Sequence, residues 1–146
     1  MKTIIYEGKE FQAFDFIMRK ENALDIISGK KKIETRACTP FYDRLVIDKE
    51  QEKLNKEDPK NFIPPIRADI SFINFHNYNN SWFLTVRINE IGCSRFSKKE
   101  IEDIAKEFDF HDFDNEWQQY DNLAEKEKPS FYWFSIKEVV EHNINV

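Results

Sequence analysis

Ile26–Arg36 reads IISGKKKIETR: three lysines and an arginine gather around one carboxylate, directly after a glycine. Asn22 is a residue type that caps a short helix, and Ala23, Leu24, Ile26 and Ile27 recur at a spacing that packs inward. Gly29 supplies the positive φ that ends such a helix. The chain then turns with Lys30 and Lys31 facing water. Read as a strand, Lys32–Arg36 alternates, sending Lys32, Glu34 and Arg36 to one face and Ile33 and Thr35 to the other. Two cations flanking one carboxylate can hold a phosphate, a carboxylate or a polarised carbonyl near Arg36, while Glu34 orients the arginine or shuttles a proton. The same trio also suits a structural ion pair on a sheet wall.

Gly29, Lys31, Glu34 and Arg36 spell GxKxxExR, and this resembles the signature of the ASCH domain, a small PUA-like β-barrel family. The preceding ALDIIS, Ala23–Ser28, is similar to the helix that leads into that signature. Near the C-terminus, FYWFSIKEVVE, Phe131–Glu141, resembles the aromatic closing strand of these barrels, and LTVRINEIG, Leu84–Gly92, resembles their central strand. The likeness spans Phe14 to Val140, with Arg44–Ile66 fitting poorly. It implies an α+β fold: one domain over residues 1–146, a PUA-like β-barrel of mixed, mostly antiparallel strands with flanking helices and a polar insertion at about 48–65.

The resemblance further implies a cavity beside the motif that takes RNA, a nucleotide or a modified nucleoside, with Lys31, Glu34 and Arg36 as ligand-binding residues and no cofactor. Some small members resemble amidohydrolases that remove the acetyl group from N4-acetylcytidine, using a lysine, a threonine and a downstream glutamate. The lysine carries over to Lys31, but the threonine position falls on Glu34, and strand alternation puts the Thr35 hydroxyl on the opposite face. A hydrolase built here would therefore use Lys31 and Glu34 as catalytic residues, with a downstream acid drawn from Asp109, Asp112, Asp114 or Glu116.

The length matches one compact domain with a proper core. Phenylalanine occurs 14 times against 3 glycines, so that core is built from large rings and isoleucine. No apolar run reaches membrane-spanning length and Met1–Tyr6 lacks the hydrophobic region of a secretory signal, so a cytoplasmic protein without membrane contact is expected. Cys38 and Cys93 match no zinc spacing; reduced thiols are the expectation, with a disulfide left open. A formal net charge of −5 argues against nonspecific coating of nucleic acid, which relies on releasing counterions from many phosphates, but it leaves room for a local basic groove. Lys30, Lys31, Lys32, Arg36 and Arg44 supply one, while acids concentrate between Glu100 and Glu127, as they would on the solvated side of helices.

Along the chain, Met1–Tyr6 and Phe11–Met18 read as strands around a turn at Glu7–Lys9. Leu45–Ile47 is briefly apolar; DKEQEKLNKEDPKN then reads as an exposed insertion with one solvated helix ending before Pro59. Its Lys/Glu-rich sequence suggests no apolar patch of the kind a protein-binding surface would need. Asp69–Phe75 and Trp82–Ile91 form a hairpin around HNYNNS. Ser97 and Glu100 make a capping box for a helix through Ile101, Ile104, Ala105 and Phe108. Asp109, His111, Asp112 and Asp114 lack the turn glycine of a calcium loop and offer one histidine, so no metal is expected. Asp112 or Asp114 should cap a further helix carrying Trp117, Tyr120 and Leu123 and closed by Pro129. The last strand, Ser130–His142, shows Tyr132, Phe134 and Ile136 on one side and Phe131 and Trp133 on the other. Core packing suits Phe131 and Phe134, whereas Trp133 is the ring expected to line a wet pocket and stack a base.

Overall fold

A computed structural model describes residues 1–145. Strands β1 (Lys2–Tyr6) and β2 (Lys9–Ile17) are joined by the two-residue turn Glu7–Gly8, both at positive φ, the geometry that matches the twist of a hairpin. Helix α1 (Lys20–Ile27) leads to β3 (Ile33–Ala37), α2 (Pro40–Val46) and α3 (Lys49–Glu57). Strands β4 (Phe72–His76) and β5 (Phe83–Arg95) form the expected hairpin, with Asn80 at φ 57° in its loop. Helix α4 (Lys98–Phe108) precedes the long β6 (Ser130–His142).

The fold is α+β, with six strands ordered β1-β2-β4-β5-β6-β3, parallel only between β2 and β4. The sheet does not close into a barrel: β1 and β3 are its edges. It nevertheless curls strongly, because Phe16 on β2 and Phe134 on β6 bring their rings to 5.4 Å although β4 and β5 lie between them in the ladder. Register shifts at Thr85/Val86, Arg87/Ile88 and Ile88/Ile91 of β5 supply the bending, as bulges do in curved sheets. The concave face holds the main core, with Phe16, Ile73, Phe75, Leu84, Val86 and Phe134 buried under Ala23 and Ile26 of α1.

Closure fails at one place. Residues Lys9–Ala13 of β2 pair with β1, and from Phe14 to Ile17 β2 pairs with β4 on one side only. The open side there faces β3, and the gap becomes a cleft.

The outer face of β3 and β6 carries a second cluster, Ile33, Ile104 and Phe110, against which Phe108, Phe113 and Trp133 pack. The capping box forms, Ser97 Oγ accepting from the Glu100 amide at 3.4 Å and donating to Glu100 Oε2 at 3.2 Å. Asp109, at φ 52°, ends α4.

Four local expectations are corrected. The first helix starts at Lys20 with Arg19 at its cap, because Met18 N–H still completes the sheet on the His76 carbonyl and the chain turns at once; Asn22 falls inside the helix. A helix absent from the sequence reading, α2, starts where Thr39 accepts from the Tyr42 amide and Pro40 occupies the first turn. The helix expected over Trp117, Tyr120 and Leu123 is instead two 3-10 turns, Glu116–Tyr120 and Glu125–Glu127; a spacing of three is the period of the 3-10 form, not of the α-helix. The insertion forms the solvated α3 and ends before Pro59 as expected, yet Leu54, Phe62 and Ile63 are exposed on it.

Candidate functional site

The geometry starts at Gly29, whose φ of 82° lets its own N–H return to the Ile26 carbonyl and Lys31 N–H to the Asp25 carbonyl at 3.0 Å. That wrapped turn tucks Lys31 under the sheet edge. Lys31, rather than Lys32, is therefore the lysine beside Glu34: its Nζ lies 3.2 Å from Glu34 Oε1, while Lys32 is exposed. Arg36 Nη2 donates to Glu34 Oε2 at 3.2 Å and the Thr35 amide donates to Oε1 at 2.9 Å. The carboxylate is only 4% exposed and has both oxygens engaged. A buried carboxylate with two cations and an amide is held in place on all sides; deleting one member strands the others' charge, at about 3–5 kcal/mol for such pairs.

Arg36 is fixed from the other side as well. Its Nη1 donates to the Tyr42 hydroxyl at 2.9 Å, and its guanidinium lies over the rings of Phe16 at 5.1 Å and Tyr42 at 5.7 Å. Stacking of this kind contributes about 0.5–2 kcal/mol and sets the plane of the fork. Arg36 Nε is buried with no hydrogen-bond partner, a donor whose unmet demand is worth about 1–3 kcal/mol.

Around this assembly lies the cleft left by the incomplete closure, about 420 Å³, walled by Ile17–Arg19 and Asn22 on one side, Thr35–Ala37 and Tyr42 on the other, and reached by Lys31, Glu34 and Asp112. A neighbouring cavity of about 240 Å³ shares Asn22, Lys31 and Asp112 with it and adds Asp25, Lys30, Lys32 and the Asp109–His111 turn.

Strand pairing sorts the remaining expectations. Glu34 opposes Phe134 and Arg36 opposes Tyr132, so these four point to the concave side; Thr35 opposes Trp133, and both take the outer side. The structure brings Lys31, Glu34 and Arg36 together and does not bring Trp133 to them. The Trp133 ring lies 5.1 Å from that of Phe108, donates from Nε1 to Ser94 Oγ at 3.1 Å, and lies so close over Gly92 that a Cβ there would meet its Cζ2 at 2.0 Å. Trp117, which donates from Nε1 to the Asp114 carbonyl, is absent from both cavity linings, and so is Tyr120.

Of the four downstream acids, Asp112 alone reaches the Arg36 cleft. Asp109 and Asp114 are occupied by His111, whose Nε2 lies 2.8 Å from Asp109 Oδ1 and whose Nδ1 lies 3.0 Å from Asp114 Oδ2. Hydrogen bonds to Asp109 and then to Asp114 raise the imidazole's pKa, since both nitrogens then act as donors. Among the described residues no group of three or more His, Cys, Asp or Glu side chains is placed to hold a metal ion, and no helix is long and apolar enough to cross a membrane.

The residues the sequence did not single out are Phe16, Arg19 and Tyr42. Tyr42 had a signal, the Thr39-Pro40 helix start that puts it on the first turn after β3; Phe16 had none, since only the curl of the sheet brings it beside Arg36. No family model matches the chain, and no curated protein or solved structure matches it either.

Proposed function

We propose that the Arg36 cleft binds a nucleotide-class ligand, a nucleoside, a nucleotide or a base of RNA, within a PUA-like, ASCH-type domain whose motif serves recognition. The observation that carries this reading is the fixed guanidinium: Glu34, Tyr42 and Phe16 hold Arg36 in one plane at the wall of an open cleft, with Nε left unpaired. A pre-set fork of that kind suits a phosphate or the acceptor edge of a planar ring, and Lys31 adds a point charge beside it. The Thr35–Ala37 and Tyr42 walls are wide enough apart for such a ring: the 420 Å³ of the cleft falls in the range of small-molecule sites.

Titration calorimetry with cytidine 5′-monophosphate and with N4-acetylcytidine tests it. Wild type should bind at least one of them, and Arg36→Ala should lose that binding while keeping a cooperative melt. Tyr42→Phe, which leaves Arg36 present and only frees its Nη1, should weaken binding without removing it. Absence of binding to either compound by wild type sinks the reading.

One observation favours an amidohydrolase instead: Asp112 reaches the same cleft as Lys31. Against it, both Glu34 oxygens are engaged, so Glu34 holds cations rather than a water. Incubation with N4-acetylcytidine and chromatographic detection of free cytidine decides this; turnover abolished in Asp112→Asn would replace binding by hydrolysis as the function.

A further inference from the structure

The cleft does not end at a nucleoside's length. On one side it runs into the cavity lined by Lys30, Lys31 and Lys32, sharing Lys31 as the common wall. On the other, Tyr42 leads directly to Phe41, whose ring stands perpendicular to that of Tyr42 at 5.0 Å and is 57% exposed. An exposed phenylalanine is unremarkable alone. Here, however, a solvent-facing ring, a fixed arginine and a run of lysines follow one another across a single gap in the sheet.

The geometry points to a single-stranded oligonucleotide as the occupant, one base seated at Arg36, a neighbouring base stacked on Phe41, and a phosphate on the far side met by Lys30 and Lys32. This rests on the nucleotide-class reading of the cleft and extends it from a single unit to a strand. Every base has a face that stacks on a ring, whereas phosphates answer to lysine charge, so an alternation of ring and cation fits a strand better than a compact ligand. The carboxylates in the lysine cavity do not overturn its sign locally: Asp109 is already bonded to His111, and Asp25 and Asp112 stand against three lysines. The acidic remainder of the molecule, at a net charge of −5, confines binding to this track and keeps the number of phosphate contacts small.

The experiment is a length series read by fluorescence anisotropy competition: cytidine, cytidine 5′-monophosphate, and single-stranded di- and tetranucleotides of cytidine, against wild type, Phe41→Ala and the double variant Lys30→Ala/Lys32→Ala. The readout is the gain in affinity from nucleoside to tetranucleotide for each protein. Wild type should gain steadily, Phe41→Ala should lose roughly tenfold of that gain, and the lysine variant should lose a similar factor and flatten the dependence on salt. With two phosphates contacted, the logarithm of affinity should fall against the logarithm of salt with a slope of about −1.4. Equal affinity for cytidine and the tetranucleotide, or full gain retained by both variants, overturns the strand while leaving the nucleoside reading intact. A poly-glutamate peptide that competes as well as the tetranucleotide, unaffected by Phe41→Ala, also overturns it. Failure of all four cytidine ligands to bind removes both readings together.

Discussion

The Tyr42 hydroxyl accepts a 2.9 Å hydrogen bond from Arg36 Nη1, which ties the first turn of α2 to the strand that precedes it and completes the cage around the guanidinium. The opposite Nη is bonded to Glu34, so the arginine is held by two elements that the chain forms in immediate succession. A short connection, Cys38–Thr39, thus sets the orientation of the most specific side chain in the cleft.

The cage predicts an order of stability losses. Glu34→Gln retains the acceptor for the Thr35 amide but removes the charge between Lys31 and Arg36, leaving two cations close together beneath the surface. The expected loss is about 3 kcal/mol, the cost of breaking a buried pair from one side. Tyr42→Phe removes one hydrogen bond and should lose about 1 kcal/mol. Urea denaturation midpoints of the two variants check the order; a Glu34→Gln protein as stable as wild type would mean the trio is well solvated.

Much of this site was legible beforehand, and the part that was not has a specific cause. Local chemistry gave the Gly29 turn, the β3 strand, the Ser97 cap and the whole of β6, because each depends on neighbours in the chain. The choice of Lys31 over Lys32 was not local: the turn closes on Asp25 and Ile26 before the strand begins, so the strand's alternation starts one residue later than the lysine run suggested. Trp133 was misassigned for a related reason. Alternation correctly separated it from Tyr132 and Phe134, but which side faces the cleft depends on the direction in which the sheet curls, and that is fixed by β5 bulges and by α4, far away in sequence.

Gly92 should tolerate no side chain. The indole of Trp133 lies where its Cβ would go, at 2.0 Å, and Trp133 is itself held by Phe108 and Ser94. Gly92→Ala should lose at least about 1–3 kcal/mol, as overpacking does when the neighbour cannot move aside. Adding Trp133→Leu to Gly92→Ala should recover part of that loss, since the obstruction is then gone. Thermal melts of the single and double variants read the coupling, and additive losses would remove the packing argument.

The two thiols should resist chemistry at neutral pH. Cys38 Sγ and Cys93 Sγ lie 4.0 Å apart and unbonded, and burial, ahead of the nearby Cys93, pushes the Cys38 thiol up to about 12. At pH 8 the reactive thiolate of Cys38 is then about one part in ten thousand. Burial also raises the Cys93 thiol. Mass spectrometry after brief iodoacetamide treatment at pH 8 should show far less alkylation in the native protein than in urea. Equal labelling in both states would contradict the burial of this pair.

His111 gives the acidic turn a signature in pH. Its carboxylate partners raise its folded pKa above the ordinary histidine value, so its contribution to stability is fully present below the unfolded pKa of about 6.5 and disappears as pH rises through the higher folded value. Comparing wild type with His111→Asn should therefore show the largest difference in melting temperature between about pH 5 and 6.5, where the imidazolium is charged and Asp109 and Asp114 are still carboxylates, and a shrinking difference above. An NMR titration of the His111 ring should place its midpoint higher than that of the same residue in urea. A difference that instead grew with rising pH would have the opposite sign from the one these contacts require, and His111 would then be held by something other than its two aspartates.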